Sequence, residues 1–221
     1  MLTIARIRND FQSKFGVPRQ SGIAGSAVST VVFEPAFRQA EALRGLEGFS
    51  HVWLLWEFSE LKGEEEWRPT VRPPRLGGNQ RMGVFATRSP FRPNRIGLSS
   101  VRLLKVELSS PDGPLLRVAG ADLMDGTPII DIKPYLPYTD CHEDATGGFT
   151  DAETREKPLE VILPDALRQQ LSPVQFTALR EALAADPRPR YHRDPSRVYT
   201  MLYAGRELRF RVDGTVATVL P

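Results

Sequence analysis

The 221-residue sequence contains a single cysteine and no long apolar stretch, and each absence excludes a class of protein. With Cys141 alone, neither an intrachain disulfide nor a cysteine zinc cluster can form, and a reducing cytosol is the expected environment. The longest unbroken apolar run, residues 52–56, is far shorter than the roughly 20 residues that a transmembrane helix needs. Residues 1–14 lack an apolar segment of signal-peptide length, so we expect neither a signal peptide nor a membrane anchor.

The motifs of the common cofactor and nucleophile sites are missing as well. The sequence has no Gly-x-Gly-x-x-Gly after a strand, no P-loop and no Gly-x-Ser-x-Gly. Cys141-His142-Glu143-Asp144 offers metal-ligand types, but neighbouring loop side chains seldom converge on one ion, so no metal site is predicted. His51 lies inside an apolar run, which favours a packed or hydrogen-bonded core histidine over a catalytic base.

Acidic residues are missing from a stretch in the middle of the chain. Residues 67–105 hold eight arginines and one lysine, so their net charge is +9 and the rest of the chain carries −7. A one-signed cluster of this size indicates a polyanionic partner. Arginine favours RNA in particular, because its planar guanidinium binds phosphate through two hydrogen bonds and stacks on bases.

Apolar runs of strand length recur through the first part of the chain. Clusters of Gly, Pro, Ser and Asp separate them at the spacing of a sandwich or barrel, without the strand–helix alternation of a doubly wound sheet. Apolar residues at helical spacing predict one helix over residues 36–44. The predicted strands are residues 2–7, 27–33, 50–58, 82–87, 101–108, 115–119 and 128–132.

A smaller α+β part follows a polar linker at residues 137–158. Ser172, Pro173 and Gln175 predict the start of a helix that reaches about residue 185, because this pattern satisfies free backbone groups of the first turn. A short helix is predicted over residues 164–171, and strands over 198–203, 208–212 and 216–220. The expected domains are residues 1–155 and residues 156–221, the second of which ends in a basic segment.

Two loop segments carry residues that are typical of a binding site. In residues 67–78, consecutive prolines hold the backbone extended, and arginines project from it every three or four residues. In residues 83–99, two prolines, three arginines and an asparagine follow a predicted strand end, where sites are usually built. A solvated loop and a plain hairpin turn are the alternative interpretations, and the missing acids favour RNA contact.

A third segment combines a turn with a charged strand. Asp125-Gly126 is a tight-turn signal, and Asp131 and Lys133 alternate with two isoleucines in the strand that follows. The alternation predicts that both charged side chains share one face while the isoleucines fill the core. A strand with a merely solvated face is the alternative to a functional one.

Together, and at this spacing, these segments resemble the TsaA-like family, whose bacterial members are the TrmO tRNA methyltransferases. The similarity covers residues 1–140 closely and continues through Asp186-Pro187-Arg188-Pro189 and the strands that follow. Runs of this length are highly specific. The shared landmarks are Pro18-Arg19-Gln20, Phe49-Ser50-His51-Val52-Trp53 and residues 67–78, 82–99 and 125–135.

The resemblance implies a mainly β fold, with a single-sheet, non-Rossmann β-barrel as N-terminal domain and a small α+β C-terminal domain. A barrel agrees with the missing Gly-rich fingerprint. The resemblance also implies S-adenosylmethionine as methyl donor and a cytoplasmic homodimer. The acceptor would be N6 of N6-threonylcarbamoyladenosine, next to the anticodon of threonine tRNA.

The resemblance transfers the family's cofactor-binding positions onto this chain. They are Pro18, Arg19, Gln20, Ser59, Glu60, Arg88, Leu98, Asp125, Gly126, Thr127 and Pro128. At Ser59-Glu60 this chain departs from the pattern, since a relative carries His-Gln there. The expected RNA contacts are Arg72, Arg75, Arg92, Arg95 and Lys133.

A single in-line displacement is the expected reaction, with most of the rate coming from alignment of donor and acceptor. Asp131 or Asp125 would accept the N6 proton. Arg88, Arg92 and Arg95 would hold phosphate or the threonyl carboxylate. Two other classes stay open: a non-catalytic RNA- or S-adenosylmethionine-binding module, and a hydrolase that uses His51 or Cys141.

Overall fold

Six strands of the first part of the chain form a closed barrel. The structure is a computed structural model and describes residues 1–60, 67–73, 80–151, 157–189, 192 and 194–221. The barrel strands are Ala5–Arg8 (β1), Val28–Phe33 (β2), His51–Glu57 (β3), Ile96–Glu107 (β6), Leu115–Ala119 (β7) and Pro128–Pro134 (β8). Their order around the barrel is β1-β2-β7-β6-β3-β8, with antiparallel neighbours throughout. The predicted mainly β fold with a single-sheet barrel is confirmed.

Alternation along β3 explains why this sequence enters a barrel. Val52, Leu54 and Trp56 point inward and are buried, while the residues between them are half-buried on the outer face. A period of two sends alternate side chains of the strand into the barrel, and closure of the sheet covers this inner face. β3 thereby fixes the direction of the Trp56 ring, which reaches one end of the barrel.

A second sheet, of four strands, carries the C-terminal part. Tyr199–Tyr203 (β10), Arg206–Asp213 (β11) and Val216–Val219 (β12) are antiparallel neighbours, and Glu160–Ile162 (β9) pairs in parallel with β12. The last three of the predicted strands are therefore confirmed, whereas β9 is too short to show an alternation in the sequence.

Three α-helices lie among the described residues of this part and of the linker before it. Pro137–Asp140 (α1) lies in the predicted linker, and Asp165–Gln170 (α2) and Pro173–Ala184 (α3) pack on the second sheet. The predicted start of α3 is confirmed, because Ser172 Oγ accepts from the Gln175 backbone N–H and the Gln175 side chain accepts from the Ser172 N–H. No helix in the described parts of the chain is long and apolar enough to cross a membrane.

The segment between β1 and β2 leaves the barrel and packs in the core of the second sheet. Phe11, Ala24 and Ala27 are buried there, and the Phe11 ring meets the edge of Tyr203 with ring centroids 5.2 Å apart. Ser26 donates through its backbone N–H and its Oγ to the Glu181 carboxylate of α3, at 2.9 and 2.7 Å. The segment therefore holds the two parts together.

The helix predicted over residues 36–44 is wrong. The segment forms two 3-10 turns, Pro35–Phe37 and Ala40–Leu43, which are separated at Gln39 by extended backbone (φ −113°, ψ 117°). Of the apolar face that predicted the helix, Leu43 is buried and the two alanines are not. An α-helix there would gain little from packing, and a short helix is marginal without it.

The strand predicted over residues 82–87 is mostly wrong. Met82–Gly83 (β5) pairs with Thr70–Val71 (β4), and the chain then enters a 3-10 turn at Val84–Ala86. Buried Val84 anchors this turn, and the Thr87 hydroxyl donates to the Val84 carbonyl at 2.9 Å. The turn directs the following arginines toward one end of the barrel.

Candidate functional site

One end of the barrel opens into a cavity of about 330 Å³, which we call the barrel-end cavity. It lies where β3 and β7 end and β6 begins, beside the segment that connects β1 with β2. A volume of this size is in the range of small-molecule sites. The described residues that line it are Arg19, Gln20, Trp56, Phe58, Thr87, Arg88, Arg92, Ile96, Gly97, Leu98 and Asp122.

Two aromatic rings from the end of β3 form one wall of the cavity. Trp56 and Phe58 meet edge to face, with ring centroids 4.3 Å apart. The indole lies directly on the β6 backbone, since a Cβ at Gly97 would stand 2.2 Å from Trp56 Cε2. Glycine at position 97 therefore allows the indole to reach the side chain of the next inward residue, Ser99.

A chain of hydrogen bonds runs from this wall to a carboxylate. Trp56 Nε1 donates to Ser99 Oγ at 2.9 Å, and Ser99 Oγ donates to Asp122 Oδ1 at 2.5 Å. The direction is fixed, because an indole N–H can only donate and the serine hydroxyl has a single proton left to give. Asp122 Oδ1 is thus committed as an acceptor, and any proton that this carboxylate takes up sits on Oδ2.

The environment of Asp122 favours its protonated form more than water does. Burial raises the pKa of the Asp122 carboxyl above its ordinary value, while the Ser99 hydrogen bond and the Arg88 guanidinium act in the opposite direction. Gly120 helps to place the residue: its φ is +76° and a Cβ there would press on the Gly22 backbone at 3.3 Å. Asp122 is therefore a half-buried carboxylate held at the cavity wall by its neighbours.

Cationic side chains face the aromatic wall from two loops. Arg88 donates to the Gln20 side-chain oxygen, and the Gln20 amide donates to the Arg19 carbonyl at 2.6 Å. Arg19 in turn donates to the backbone carbonyl of Arg188 in the C-terminal part. The Arg19-Gln20 pair is thereby held between the barrel and the C-terminal part.

Arg92 contributes to the cavity in a different way. Its guanidinium donates to the carbonyls of Thr87 and Val84, at 2.6 and 3.3 Å, and lies over the Phe85 ring with 5.7 Å to the centroid. These bonds close the turn that carries Arg88. Arg92 therefore stabilises the loop and also lines the cavity.

Four of the positions that the family resemblance assigns to the cofactor meet at this cavity: Arg19, Gln20, Arg88 and Leu98. Three other positions are close in sequence to residues that line the cavity. Pro18 is buried before Arg19, and Ser59 and Glu60 are exposed directly after Phe58. The structure thus brings together residues that are up to 79 positions apart in the sequence.

The turn before β8 stands at the same end of the barrel, on the side of β1. Asp125 accepts from the Asn9 backbone N–H at 3.0 Å and lies 3.7 Å from Arg8, so its carboxylate is used between these elements. Thr127 is buried and donates to the Met124 carbonyl, and the Gly126 carbonyl accepts from Arg6. The cofactor contacts expected at Asp125, Gly126, Thr127 and Pro128 stay a prediction.

Asp131 and Lys133 share the outer face of β8, where their side chains form an ion pair of 3.2 Å. Asp131 Oδ1 also accepts from the Ile132 backbone N–H at 2.9 Å, and its side chain is 46% exposed. The structure gives neither Asp131 nor Asp125 a place in the lining of the barrel-end cavity. Their catalytic role stays a prediction without a supporting contact.

The expected RNA contacts lie in several places. Arg72 is exposed beside β4, Arg95 is half-buried before β6, and Arg92 lines the cavity. Lys133 is on the outer face of the barrel, paired with Asp131. Arg75 lies outside the described residues.

Sequence reasoning missed Trp56, Ser99 and Asp122 as site residues. Trp56 and Ser99 follow the inward alternation of their strands and so look like core residues. Asp122 left a signal that could have been used: it is a single acid between the buried residues Ala121 and Leu123, just after a strand. A carboxylate between buried apolar residues is uncommon and often belongs to a functional site.

The fold and the cavity define a class: a β-barrel ligand-binding protein whose site joins aromatic rings, arginines and a half-buried carboxylate. Comparison with known families makes the class specific. Residues 6–141 match the tRNA-methyltransferase O N-terminal domain, and residues 156–221 match the TrmO C-terminal domain. The chain belongs to the TrmO family.

Relatives and solved structures agree with this family. The chain is 42% identical over 216 residues to the tRNA (adenine(37)-N6)-methyltransferase of Escherichia coli K12, covering 95% of this chain and 91% of the relative. It is 44% identical over 204 residues to a putative S-adenosylmethionine-dependent methyltransferase, RcsF, of Pseudomonas aeruginosa, covering 89% and 85%. The crystal structure of TrmO from Pseudomonas aeruginosa superimposes with a TM-score of 0.76 at 34% identity, covering 99% and 94%.

Proposed function

We propose that this chain is an S-adenosylmethionine-dependent tRNA methyltransferase that acts on adenine N6, with its active site in the barrel-end cavity. One observation carries the proposal: the cofactor positions expected at Arg19, Gln20, Arg88 and Leu98 converge there on an aromatic wall and a carboxylate. The names and activities of the similar enzymes support the same conclusion.

The residues of the cavity fit S-adenosylmethionine group by group. The Phe58 ring beside Trp56 offers a surface on which the adenine would stack. The guanidinium groups of Arg19 and Arg88 match the methionine carboxylate, which guanidinium binds through paired hydrogen bonds. Leu98, 52% exposed at the cavity, supplies an apolar contact for the aliphatic part.

When bound, S-adenosylmethionine supplies an electrophilic methyl group. The chain's own contribution is to orient donor and acceptor, and its rigid parts are suited to that. The Trp56 indole is fixed by β3, by Gly97 and by Ser99, and the Arg19-Gln20 pair is held from two sides. In-line alignment supplies much of the rate of such a transfer. A cavity whose side chains are held in fixed positions therefore favours catalysis.

The acceptor that we propose is N6 of N6-threonylcarbamoyladenosine, next to the anticodon of threonine tRNA. Binding of its threonyl carboxylate requires a cation near the methyl donor. Arg92 and Arg95 precede the first residue of β6, beside the cavity, and could supply that cation. The carbamoyl carbonyl withdraws electrons from N6 and makes it a weak nucleophile. The site therefore needs a group that removes the N6 proton.

The surface around β4 and β5 supports binding of RNA. Arg68, Arg72 and Arg81 are exposed there, and Trp67 and Phe85 are 49% and 72% exposed. Exposed aromatic rings among arginines are typical of proteins that stack unpaired bases and hold phosphates. An anticodon loop presents both groups, so we place the tRNA on this surface.

We also propose the remaining features that the family resemblance implies, a homodimer and a cytoplasmic location. Light scattering of the purified full chain at micromolar concentration tests the dimer, for which twice the 24.7 kDa mass of one chain is expected.

The proposed function is tested by transfer of labelled methyl from S-adenosylmethionine to tRNA with and without the threonylcarbamoyl group, followed by mass spectrometry of the nucleosides. We expect a gain of one methyl on the threonylcarbamoyl nucleoside alone. Transfer to unmodified adenosine would keep the enzyme class and change the acceptor. Binding of the cofactor without any transfer would establish a binding module instead.

The hydrolase alternative gains no support from the cavity. His51 lies on the outer face of β3, where its Nδ1 is 2.9 Å from Ser50 Oγ, and Cys141 is exposed after α1. Neither residue lines the barrel-end cavity.

A further inference from the structure

We propose that Asp122 is the catalytic base of the methyl transfer, the group that receives the proton from the acceptor nitrogen. The proposal rests on the proposed function and names a residue of the same site. Asp131 and Asp125 are the carboxylates that the sequence suggests for this task, and the structure uses both elsewhere.

The location of Asp122 is the first argument. Among the described residues that line the barrel-end cavity, it supplies the carboxylate, and Arg19 and Arg88 line the same cavity. A base must come within hydrogen-bond reach of the proton that it removes. Asp122 meets that condition for an acceptor bound in this cavity, whereas Asp131 on the outer face of β8 does not.

The hydrogen-bond pattern of Asp122 is the second argument. The chain from Trp56 through Ser99 ends on Oδ1 and orients the carboxylate, and the backbone N–H groups of Asp122 and Ser21 also favour its ionised form. A purely structural carboxylate would be expected to pair with the nearby cations, yet Arg88 donates to Gln20 and Arg19 to Arg188. The carboxylate is oriented without being neutralised by a direct ion pair in the described contacts.

The protonation behaviour agrees with this assignment. Burial raises the pKa of the Asp122 carboxyl, so the ionised group is a stronger base than a carboxylate in water. The Ser99 hydrogen bond, backbone N–H groups and the Arg88 guanidinium act in the opposite direction and lower the pKa of this carboxyl.

The step balances as follows. The N6–H bond breaks and its proton passes to Asp122 Oδ2, while the nitrogen electron pair forms the N6–CH₃ bond. The S–CH₃ bond of S-adenosylmethionine breaks, and its electron pair stays on sulfur to give neutral S-adenosylhomocysteine. Asp122 then returns the proton to solvent, so the positive charge of the sulfonium leaves the site as that proton.

Asp122→Asn is the variant that tests the proposal, because an amide oxygen still accepts from Ser99 while the basic oxygen is lost. Asp112→Asn, at an exposed position between β6 and β7 and outside the lining of the barrel-end cavity, is the matched control. Single-turnover transfer is measured at saturating S-adenosylmethionine and modified tRNA, from pH 5 to pH 9. Cofactor affinity is measured by calorimetry, and the Asp122 carboxyl is titrated by ¹³C NMR in the ligand-free protein.

We expect the transfer rate of Asp122→Asn to fall by about 100-fold or more, the usual contribution of a general base. Its cofactor Kd should stay within threefold of the unaltered chain, and Asp112→Asn should transfer at the normal rate. The rate of the unaltered chain should rise with pH through the titration of the ¹³C signal. Asp122→Asn should lose that dependence.

If the unaltered chain is active, two results would overturn the proposal. A rate of Asp122→Asn within fivefold of normal would show that another group, or water, takes the proton. A normal rate at saturation with a Kd weakened tenfold or more would make Asp122 a cofactor ligand only. If the unaltered chain transfers no methyl group to any tRNA, the proposed function fails, and the proposal for Asp122 fails with it.

Discussion

Two cavities lined by described residues differ in size, and the smaller one has the chemistry of an active site. A cavity of about 570 Å³ in the C-terminal part is lined by Lys157, Asp186, Arg188 and His192, among others, whereas the barrel-end cavity measures about 330 Å³. In the larger cavity, Arg188 donates two hydrogen bonds of 2.8 Å to Asp186, so these charges neutralise each other. Volume alone is therefore a poor guide to the site.

The two cavities also differ in how their titratable groups are perturbed. Burial and the nearby Arg197 and Arg188 lower the pKa of His192, which keeps this histidine neutral, while burial raises the pKa of Asp122. The barrel-end cavity thus holds a carboxylate able to exchange a proton. Arg188 links the two, because its backbone carbonyl accepts from Arg19 at the smaller cavity. We infer that the C-terminal part supports the active site without forming its reactive surface.

Among substitutions that distinguish the barrel-end cavity from the larger cavity, Gly97→Ala is expected to have the largest effect on stability and methyl transfer. The added Cβ would stand 2.2 Å from the Trp56 ring, so the indole must move and lose its bond to Ser99. Overpacking of this kind costs roughly 1–3 kcal/mol of stability, and we expect methyl transfer to fall at least tenfold.

Gly83→Ala is the matched control for that substitution, since a Cβ at Gly83 meets open space and its φ is −57°. Thermal unfolding and the methyl-transfer assay are measured for both variants. Equal Tm and equal activity in the two would show that the indole does not depend on Gly97.

The next largest effect is expected from Arg88→Ala. Loss of a hydrogen bond to a charged group costs roughly 1.5–3 kcal/mol, so S-adenosylmethionine should bind about 10- to 150-fold more weakly by calorimetry. Arg206→Ala removes an exposed arginine from the second sheet and should leave the affinity unchanged. Equal losses in both variants would mean that overall charge, and not this cavity, sets the affinity.

A smaller effect is expected from Asp186→Asn in the larger cavity. Asparagine tolerates the left-handed backbone of this position (φ 48°), so the change removes mainly the charge opposite Arg188. We expect a stability loss of roughly 1–2 kcal/mol by chemical denaturation and methyl transfer within threefold of normal. Loss of cofactor binding in this variant would move the active site to the larger cavity.

The smallest effect is expected on the pH dependence of thermal stability in Asp122→Asn. Because the folded-state pKa of Asp122 is raised, the stability that its protonated form provides is present at acid pH and is lost as pH rises through that pKa. Asp122→Asn lacks this loss, so its Tm should exceed that of the unaltered chain at neutral pH. The difference in Tm between the two proteins should narrow when the pH falls below the ordinary carboxyl pKa. A difference in Tm that does not change with pH would contradict a raised pKa of Asp122.

Local patterns predicted the parts of the fold that local forces decide. The apolar run of strand length at β3 and the capping box at Ser172 each depend on neighbours within a few residues, and both predictions are confirmed. The helix over residues 36–44 failed because its stability depends on what its face packs against. Closure of the barrel came from the family resemblance, since pairing of β1 with β8 joins residues more than 100 positions apart.

The candidate site was predictable where the resemblance fixed residues one by one. Arg19, Gln20, Arg88 and Leu98 meet at one cavity. Asp122 was not predicted, because its role follows from Ser99, 23 positions earlier, and from the indole that orients Ser99. The sequence around Asp131 suggested a catalytic carboxylate, but Asp131 lies on the outer face of β8 and does not line the cavity.

The central claim, that the barrel-end cavity is the active site, is tested most directly by a crystal structure of the chain with S-adenosylhomocysteine. We predict that the ligand lies against Trp56 and Phe58, with its amino-acid end at Arg19 and Arg88 and its sulfur facing Asp122. A ligand bound in the larger cavity beside Asp186 and His192 would contradict the account.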